Sequence, residues 1–375
     1  MNELQMLPLP LLDWYFKNAR TLPWRSEPTP YRVWISEIML QQTRIEAGKG
    51  YFLRWMKELP DAASLAEVSD ERLMKLWEGL GYYNRARNLK KAAEIIVDRF
   101  GGDLPGDYND LLSLPGIGSY TAGAIGSIAF GLPVPAVDGN VLRVLARLRA
   151  DKSDISSSSV KKAAETELRT LLEENAGTEE FYPGDFNQAL MELGALVCIP
   201  NGAPKCGQCP AASFCRAYLQ GLTGCIPVKA AKKERRIEKK TVFLIRTGSR
   251  FVLHKRDKKG LLAGLWELPN AEGHLSSTEA RNWLCEHAAD LPALSKAQLQ
   301  SCSLEPLPES THIFSHVEWH MKGFEICAEE PPLLYESTEA YEAAGLPQEY
   351  ALIRSDDLKS AYSLPSAFRA YRKLL

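Results

Sequence analysis

Histidine is absent from this chain of 375 residues before His254, so the first two thirds of the sequence lack an imidazole. This absence excludes a serine–histidine triad there, and also a zinc site of mixed cysteine and histidine ligands. Lysine is missing between Lys91 and Lys152, which removes an amine nucleophile from that stretch. Acid–base chemistry in this part of the chain must use carboxylates, tyrosine or the lysines outside that stretch.

Long apolar segments are lacking as well. The opening residues, MNELQMLPLPLLDWYFKNAR, are interrupted by prolines and Asp13, with no basic leader and no small-residue cleavage site. Nothing elsewhere approaches the length of a membrane span. We therefore expect a cytoplasmic protein that does not associate with membranes. The net charge of −2 argues against a uniformly basic nucleic-acid coat, although a balanced total can hide a basic face.

Cysteine is sparse, yet four of the eight cysteines fall within eighteen positions, spaced C-x7-C-x2-C-x5-C. In a reducing compartment, grouped cysteines are more often metal ligands than disulfides. Four thiolates on one loop can surround a [4Fe-4S] cluster or a single tetrahedral zinc ion. The predicted metal ligands are Cys198, Cys206, Cys209 and Cys215.

The pattern of apolar residues changes along the chain and predicts more than one domain. Residues 67–100 place apolar side chains at helical spacing, whereas TVFLIR and FVLHKR, joined by TGSR, predict a β-hairpin. Seven lysines and arginines between Lys229 and Lys240 separate the two patterns. We predict a helical region over residues 1–225, a basic linker over 226–240 and an α+β domain over 241–375.

Residues 110–131, DLLSLPGIGSYTAGAIGSIAFG, predict a helical hairpin with special chemistry. Gly116 and Gly118 allow a tight turn and expose amides at the start of the second helix, where a phosphate can bind. This pattern is typical of a helix-hairpin-helix element, which grips DNA through its backbone. An L-P-G-x-G turn also closes ordinary helical hairpins.

Two carboxylates stand in unusual settings. Glu37 shares a predicted helix face with Trp34 and Ile38, where burial would raise its pKa and leave a proton available near neutrality. The alternative is a partly buried glutamate with an arginine partner. Asp138 precedes the helix VLRVLARL as an N-cap, and we expect the helix amides to hold it ionised. Two such carboxylates suit the cleavage of a glycosidic bond.

Several long motifs together resemble a known family. WISEIMLQQTRI, GLGYYNRARNL, LPGIGSYTAGAI, PAVDGNVLRVLAR, NQALMELGALVC and the four cysteines are similar to adenine DNA glycosylases of the MutY type, within the endonuclease III superfamily. The resemblance covers essentially the whole chain. It implies an all-α helix-hairpin-helix core with a [4Fe-4S] loop over 198–215, followed by a Nudix-like α+β domain.

The resemblance also implies a reaction and roles for named residues. The family flips adenine mispaired with 8-oxoguanine out of double-stranded DNA and hydrolyses its N-glycosidic bond. Glu37 would protonate adenine, Asp138 would stabilise the cationic sugar or trap it covalently, and Tyr120 and Asn140 would orient both groups. The residues that match the adenine pocket are Trp24, Arg25, Leu40 and Gln188.

Further residues match the parts of the family that handle the lesion. Gln42 and Tyr82 would wedge into the duplex as the base leaves. Phe314, Ser315 and His316 match the loop that inspects 8-oxoguanine, in a domain whose GLLAGLWELPN resembles the approach to a Nudix box. The acidic R-E-x-x-E-E run that would hold Mg²⁺ is missing, which argues against a nucleotide pyrophosphohydrolase.

Tyr120 occupies the position at which strand-nicking relatives have lysine, so we expect a monofunctional enzyme. The simplest expectation for its oligomeric state on DNA is a monomer. The family pattern has six residues between the first two cysteines, whereas this chain has seven. Two alternatives stay open. One is a non-catalytic iron–sulfur protein that binds DNA, and the other is a zinc protein whose helices bind partners.

Overall fold

The computed structural model describes residues 2–230, 234–291, 295–328 and 349–375. Its contacts divide the chain into two compact units. Residues 1–68 and 84–232 form the first unit, and residues 69–83 and 233–375 form the second. Among the described residues, no helix has the length and apolar character needed to cross a membrane.

The described part of the first unit is built of helices, as predicted. Through residue 219 the helices are α1 (Pro8–Asn18), α2 (Pro30–Leu40), α3 (Ile45–Glu58), α4 (Ala62–Glu67), α5 (Asp70–Leu76, in the second unit), α6 (Asn84–Phe100), α7 (Tyr108–Ser113), α8 (Ser119–Phe130), α9 (Gly139–Arg149), α10 (Ser158–Asn175), α11 (Pro183–Leu196) and α12 (Arg216–Leu219). A 3₁₀ turn covers Cys206–Gln208.

Local sequence signals start the helices that carry the predicted site. Helix α2 begins with Pro30 in its first turn, and the Thr29 side chain accepts a hydrogen bond from the Arg32 amide. Helix α9 begins after Asp138, whose side chain caps two amides. Apolar faces of α1, α9, α10 and α11 then pack into one buried core, and three of the four grouped cysteines pack against it.

The second unit contains a mixed sheet. Its strands are β1 (Arg236–Thr247), β2 (Arg250–Lys255), β3 (Trp266–Glu267), β4 (Asn270–Glu272), β5 (Glu305–Ile313), β6 (Val317–Ala328) and β7 (Tyr350–Arg354). The described helices are α13 (Ser277–Glu286), α14 (Lys296–Ser301), α15 (Asp357–Ser360) and α16 (Arg369–Arg372), with a 3₁₀ turn over Ser366–Phe368. The strand order is β3-β2-β1-β6-β5, and β4 and β7 pair with β1 and β2.

Strand β1 lies at the centre of this sheet and is buried on both faces. Val242 and Leu244 belong to one apolar core, together with side chains of the C-terminal segment. Phe243 and Ile245 belong to another, together with α13 and α14. Strands β1 and β6 run parallel and pair from Arg236 with Val317 to Thr247 with Ala328. The predicted hairpin of β1 and β2 is present.

The boundaries differ from the prediction in three places. Strand β1 starts at Arg236, inside the predicted linker, because its backbone pairs with β6 while its first side chains stay largely exposed. Helix α5 ends at Leu76, so the predicted helical spacing does not continue to Leu80. Residues 69–83 also group with the second unit. Lys232 and Lys233 of the linker lie outside the described residues.

Asn187 holds the segment that leads to the Asp138 cap. Its side chain is fully buried, and its Oδ1 accepts from the Ala136 amide at 3.1 Å. Its Nδ2 donates to the Val134 carbonyl and to Ser127 Oγ, both at 2.9 Å. One amide side chain therefore satisfies three buried groups, two of them on the backbone.

Asn187→Leu should lower the free energy of unfolding by about 2–4 kcal/mol, because it leaves the Ala136 amide and the Val134 carbonyl buried without this partner. Denaturant unfolding followed by circular dichroism measures the change. Asn109→Leu, at an exposed position of α7, is the matched control and should change stability by less than about 0.5 kcal/mol. Equal stability of the two variants would contradict this account.

Candidate active site

A cleft of about 840 Å³ opens in the helical unit, between α2, α8, α9 and α11. It brings together predicted site residues that lie up to 164 positions apart, from Trp24 to Gln188. Nine predicted site residues line it: Trp24, Arg25, Glu37, Leu40, Gln42, Tyr120, Asp138, Asn140 and Gln188. The predicted residues Tyr82, Phe314, Ser315 and His316 belong to the second unit.

Glu37 lies on α2, and its carboxylate faces the wall of the cleft. Tyr120 donates a short hydrogen bond to Glu37 Oε2. The pKa of Glu37 is raised to about 7, chiefly by burial and to a smaller extent by the neighbouring Asp138, against the lowering effects of the Tyr120 hydrogen bond and Arg25. The carboxyl group can therefore keep a proton near neutral pH. Its hydrogen-bond donor is a tyrosine and not the arginine that the alternative interpretation expected.

Tyr120 lies in the first turn of α8, and its hydroxyl is also 3.3 Å from Met191 Sδ. Burial, followed by the nearby charges of Glu37 and Asp138, raises the pKa of Tyr120 well above its usual 10. The hydroxyl therefore stays protonated and can serve only as a neutral hydrogen-bonding group.

Asp138 is the N-cap of α9, as the sequence predicted. Its Oδ1 accepts from the amides of Asn140 and Val141, both at 2.8 Å, and its Oδ2 accepts from Asn140 Nδ2 at 2.6 Å. We expected the helix amides to hold Asp138 ionised, and they do lower its pKa. Burial raises the pKa of Asp138 and outweighs the amides, Asn140 and Arg143, all of which lower it. The anion lies in a medium of low polarity, where a neighbouring cation would be strongly stabilised.

Asn140 is fixed from its far side by Arg143. Arg143 Nη2 donates to Asn140 Oδ1 at 2.8 Å and to the Gly194 carbonyl at 2.7 Å, and its Nε donates to the Cys198 carbonyl at 2.7 Å. A Cβ on Gly194 would lie 2.6 Å from Asn140 Cβ, so only glycine allows α11 to come this near. The first cysteine of the loop thus connects to the helix start that carries Asp138.

The remaining wall of the cleft contains an ion pair that sequence reasoning missed. Buried Glu192 accepts from Arg20 Nε at 2.7 Å, Arg20 Nη2 at 2.8 Å and Arg25 Nη2 at 3.0 Å. Burial would raise the pKa of Glu192, but these arginines outweigh it and lower the pKa to about 2. Glutamate within the apolar run MELGALV was the available signal.

Two lysines from outside the lysine-free stretch between Lys91 and Lys152 also line the cleft. They are Lys161 and Lys229. Lys161 Nζ donates to Ser119 Oγ at 3.2 Å and lies 3.5 Å from Glu165 Oε1. The Lys161 amine is therefore hydrogen-bonded to Ser119, the residue that directly precedes Tyr120.

The predicted site residues also differ in their packing and in the strain of their backbone. Trp24 is buried and packs edge-on against Phe52, with ring centroids 5.4 Å apart. Gln42 has a φ of +59°, in the left-handed region that most side chains avoid. Tyr82, the other predicted wedge, has a φ of +47°. Strained backbone of this kind persists only where the surrounding structure holds it.

The predicted lesion loop lies between β5 and β6. Phe314 packs edge-on against the buried Trp319, with ring centroids 4.9 Å apart, and its amide donates to the Val317 carbonyl at 2.8 Å. Arg235 Nε donates to the Phe314 carbonyl at 3.2 Å. Ser315 and His316 stay exposed on this anchored loop. Ser315 Oγ lies 2.5 Å from the Tyr82 hydroxyl.

The predicted helix-hairpin-helix consists of α7, a turn and α8. Gly116 has a φ of +79°, and a Cβ there would lie 2.8 Å from Asn88 Cβ, so this position requires glycine. Gly118 is extended, and its side would meet nothing within 4 Å. Neither the backbone conformation at Gly118 nor its surroundings requires glycine there, unlike at Gly116.

The four grouped cysteines are neighbours in space, and none is in a disulfide. Burial raises the pKa of Cys209 to about 12, and the other three thiols add to this effect. Arg147 Nη1 donates to Cys198 Sγ at 3.3 Å and to the Ile199 carbonyl at 3.0 Å. Such buried thiols need a cationic centre before they can be thiolates, and the arginine suits a cluster of net negative charge.

A single-ion site is not formed in the described ranges, since no three His, Cys, Asp or Glu side chains there are grouped so that they could hold one metal ion. The extra residue in the first cysteine spacing falls in residues 199–205. That segment is closed by a hydrogen bond from the Lys205 amide to the Val197 carbonyl at 2.9 Å.

Comparisons with known proteins agree with the two units. Residues 35–170 match the HhH-GPD superfamily of base excision DNA repair proteins, and residues 241–374 match the NUDIX domain. In the structure of a thermostable thymine-DNA glycosylase, 97% of that chain aligns with 58% of this one, at a TM-score of 0.51 and 27% identity. The fold is therefore a helix-hairpin-helix glycosylase core with a Nudix-like domain.

Relatives extend the similarity to both units. The adenine DNA glycosylase of Arabidopsis thaliana is 37% identical over 84% of this chain, which spans 56% of that relative's length. The adenine DNA glycosylase of Mus musculus is 36% identical over 86% of this chain and 70% of its own length. At this identity and coverage, the chain belongs to the adenine DNA glycosylase family.

Proposed function

We propose that this protein excises adenine paired with 8-oxoguanine from double-stranded DNA, by hydrolysis and without a covalent lyase step. One observation carries the proposal. Glu37, with a pKa of about 7, lines the same cleft as Asp138, whose side chain accepts hydrogen bonds from two helix amides. Tyr120 donates a hydrogen bond to Glu37 there. A proton donor beside a buried anion suits the departure of a base from a deoxyribose.

The chemistry follows from these groups. The flipped adenine enters the cleft among Trp24, Arg25, Leu40 and Gln188. Glu37 protonates N7, and the bond between C1′ and N9 breaks with its electron pair going to the base. Asp138 stabilises the cationic sugar or bonds to it transiently. Water then bonds to C1′ as any bond to Asp138 breaks, and its proton passes to the Glu37 carboxylate, which leaves free adenine, an abasic site and the restored acid.

Tyr120 supports hydrolysis over lyase chemistry, because its neutral hydroxyl cannot form the Schiff base that an amine forms. Asn140, held by Arg143, orients the Asp138 carboxylate. The exposed amides after Gly116 and Gly118 would bind a backbone phosphate. Gln42 and Tyr82 would fill the gap left by the flipped base. Phe314, Ser315 and His316 would read the base opposite adenine. All of these residues lie in one chain, so the protein would act as a monomer.

The four cysteines would hold a [4Fe-4S] cluster. The chemistry that such a cluster supplies in this protein is structural, because the hydrolysis transfers no electrons. Cys198 connects through its carbonyl to Arg143, so the loop and the start of α9 support each other.

A duplex with adenine opposite 8-oxoguanine tests the reaction directly. The wild type should release adenine, and Glu37→Gln and Asp138→Asn should each slow single-turnover release by about a thousandfold. Glu174→Gln, an exposed carboxylate on α10, is the control and should keep the wild-type rate. Strand breaks should appear only after alkali. Full release by Glu37→Gln, or prompt breaks and a borohydride-trapped adduct at Lys161 or Lys229, would contradict the mechanism.

The rate should fall with pH above about 7, by up to tenfold per pH unit, because Glu37 must carry its proton to act as the acid. The same titration affects stability. The folded pKa of about 7 exceeds the usual 4.5, so this carboxyl contributes its full stability below about 4.5 and loses it as pH rises to 7.

Glu37→Gln removes this titration and can be tested without DNA. At pH 8 the variant should be more stable than the wild type by up to about 3 kcal/mol, and the gain should vanish near pH 5. Thermal unfolding at both pH values measures it, with Glu174→Gln as the flat control. A gain of equal size at both pH values would show that the raised pKa is not its cause.

Metal analysis tests the cofactor. The purified protein should contain about four irons and four sulfides per chain. Cys198→Ala should lose most of this iron and lower the melting temperature, whereas Cys225→Ala, at an exposed cysteine outside the group, should retain both. One zinc ion per chain and no sulfide would favour the zinc alternative instead.

A further inference from the structure

Residues 69–83 lie within the helical half of the sequence but group with the second unit. The segment starts with α5 and ends in the turn that carries Tyr82. Its partners are more than 270 positions away, in residues 358–372. Nothing in the proposed chemistry uses this attachment.

The attachment includes the ion pair of Lys75 with Glu78, whose side chains are 12% and 13% exposed. Lys75 Nζ donates to Glu78 Oε2 at 2.7 Å, to the Tyr362 carbonyl at 3.2 Å and to the Leu358 carbonyl. Three acceptors therefore surround the three ammonium protons. A pair as enclosed as this depends on satisfying every polar atom.

Glu78 completes the pair from the other side. Its Oε1 accepts from Arg372 Nη1 at 2.8 Å and from the Leu364 amide at 3.3 Å. Leu358, Leu364 and Phe368 belong to the same apolar core as Trp319, which supports Phe314 of the lesion loop. The turn and the loop are thus anchored on one core.

Tyr82 is the strained residue of this turn and needs such an anchor, whereas Gly79 and Gly81 adopt positive φ without strain. Gly79 and Gly81 have φ values of +96° and +70°, and Tyr82 follows at +47°. Trp77, fully buried, closes the turn by donating from Nε1 to the Gly81 carbonyl at 2.9 Å. The Tyr82 ring stays 49% exposed, with its hydroxyl 2.5 Å from Ser315 Oγ.

We infer that Lys75 and Glu78 are positioning residues for recognition of the base opposite adenine. By fixing the turn to residues 358–372, they set where Tyr82 stands beside Ser315, and so set the preference for 8-oxoguanine over guanine. This inference rests on the proposed function.

Single-turnover excision of adenine opposite 8-oxoguanine and opposite guanine tests the inference in the full-length protein. Lys75→Met and Glu78→Gln should each reduce the preference for 8-oxoguanine at least tenfold, while the rate opposite guanine stays within twofold. Lys75→Arg keeps the charge and should restore most of the preference. Adding Tyr82→Phe to Lys75→Met should cost little more, because both changes remove the same placement of the hydroxyl.

Arg246→Met is the matched control, since Arg246 and Glu325 form an ion pair at 2.7 Å on β1 and β6, away from the loop. It should leave the preference unchanged. A preference kept by both Lys75→Met and Glu78→Gln, or rates that fall equally on both duplexes, would overturn the inference alone. A wild type without any preference would overturn the proposed lesion recognition, and the inference with it.

Discussion

The hydrogen bond from Tyr120 to Glu37 is the interaction on which the candidate site depends. A carboxyl group in a medium of low polarity keeps its proton only if no cation pairs with it. Tyr120 can hold Glu37 in place without adding charge, so the pKa stays near 7. An arginine in the same place would give the same geometry and remove the proton.

Glu192 shows what that substitution of partners does. It lies in the same cleft and is also buried, yet Arg20 and Arg25 lower its pKa to about 2. Their hydrogen-bond donors account for the difference, because Tyr120 brings no charge to Glu37 whereas two arginines bring positive charge to Glu192. Because Arg25 is bound to Glu192, its charge acts on Glu37 only at a distance, as a smaller effect than burial. The ion pair with Glu192 therefore keeps Arg25 from bonding to Glu37, and the pKa of Glu37 stays raised.

Asp138 combines a structural and a chemical task in one side chain. As the cap of α9 it satisfies two amides that would otherwise lack partners, so the helix fixes its position closely. In the proposed reaction, burial would make its charge costly, which would be useful beside a sugar that becomes cationic only as the glycosidic bond breaks. Arg143 joins this helix start to the carbonyl of Cys198, so the cysteine loop supports the same few atoms.

The sequence was a good guide to what each local motif becomes. The helical first unit, the hairpin of β1 and β2 and the cap at Asp138 followed from spacing and local motifs. The pocket residues Trp24, Arg25, Leu40 and Gln188 were predicted from the resemblance to a known family. What it could not supply was the balance of environments. The low pKa of Glu192 needs arginines 167 and 172 positions away, and the raised pKa of Asp138 reflects burial that a cap motif does not reveal.

The placement of residues 69–83 was hidden for a related reason. Lys75 and Glu78 read as ordinary charges on a helix, because their partners are mostly backbone carbonyls and an amide of residues 358–364, which carry no sequence signature. A strained turn cannot hold Tyr82 by itself, and local propensity would relax it. The hydrogen bonds of Lys75 and Glu78 to residues 358–372 supply the attachment that holds this turn. Tyr82 and Ser315 therefore belong to elements that are both attached to the core around Trp319, through residues 358–372 and through Phe314.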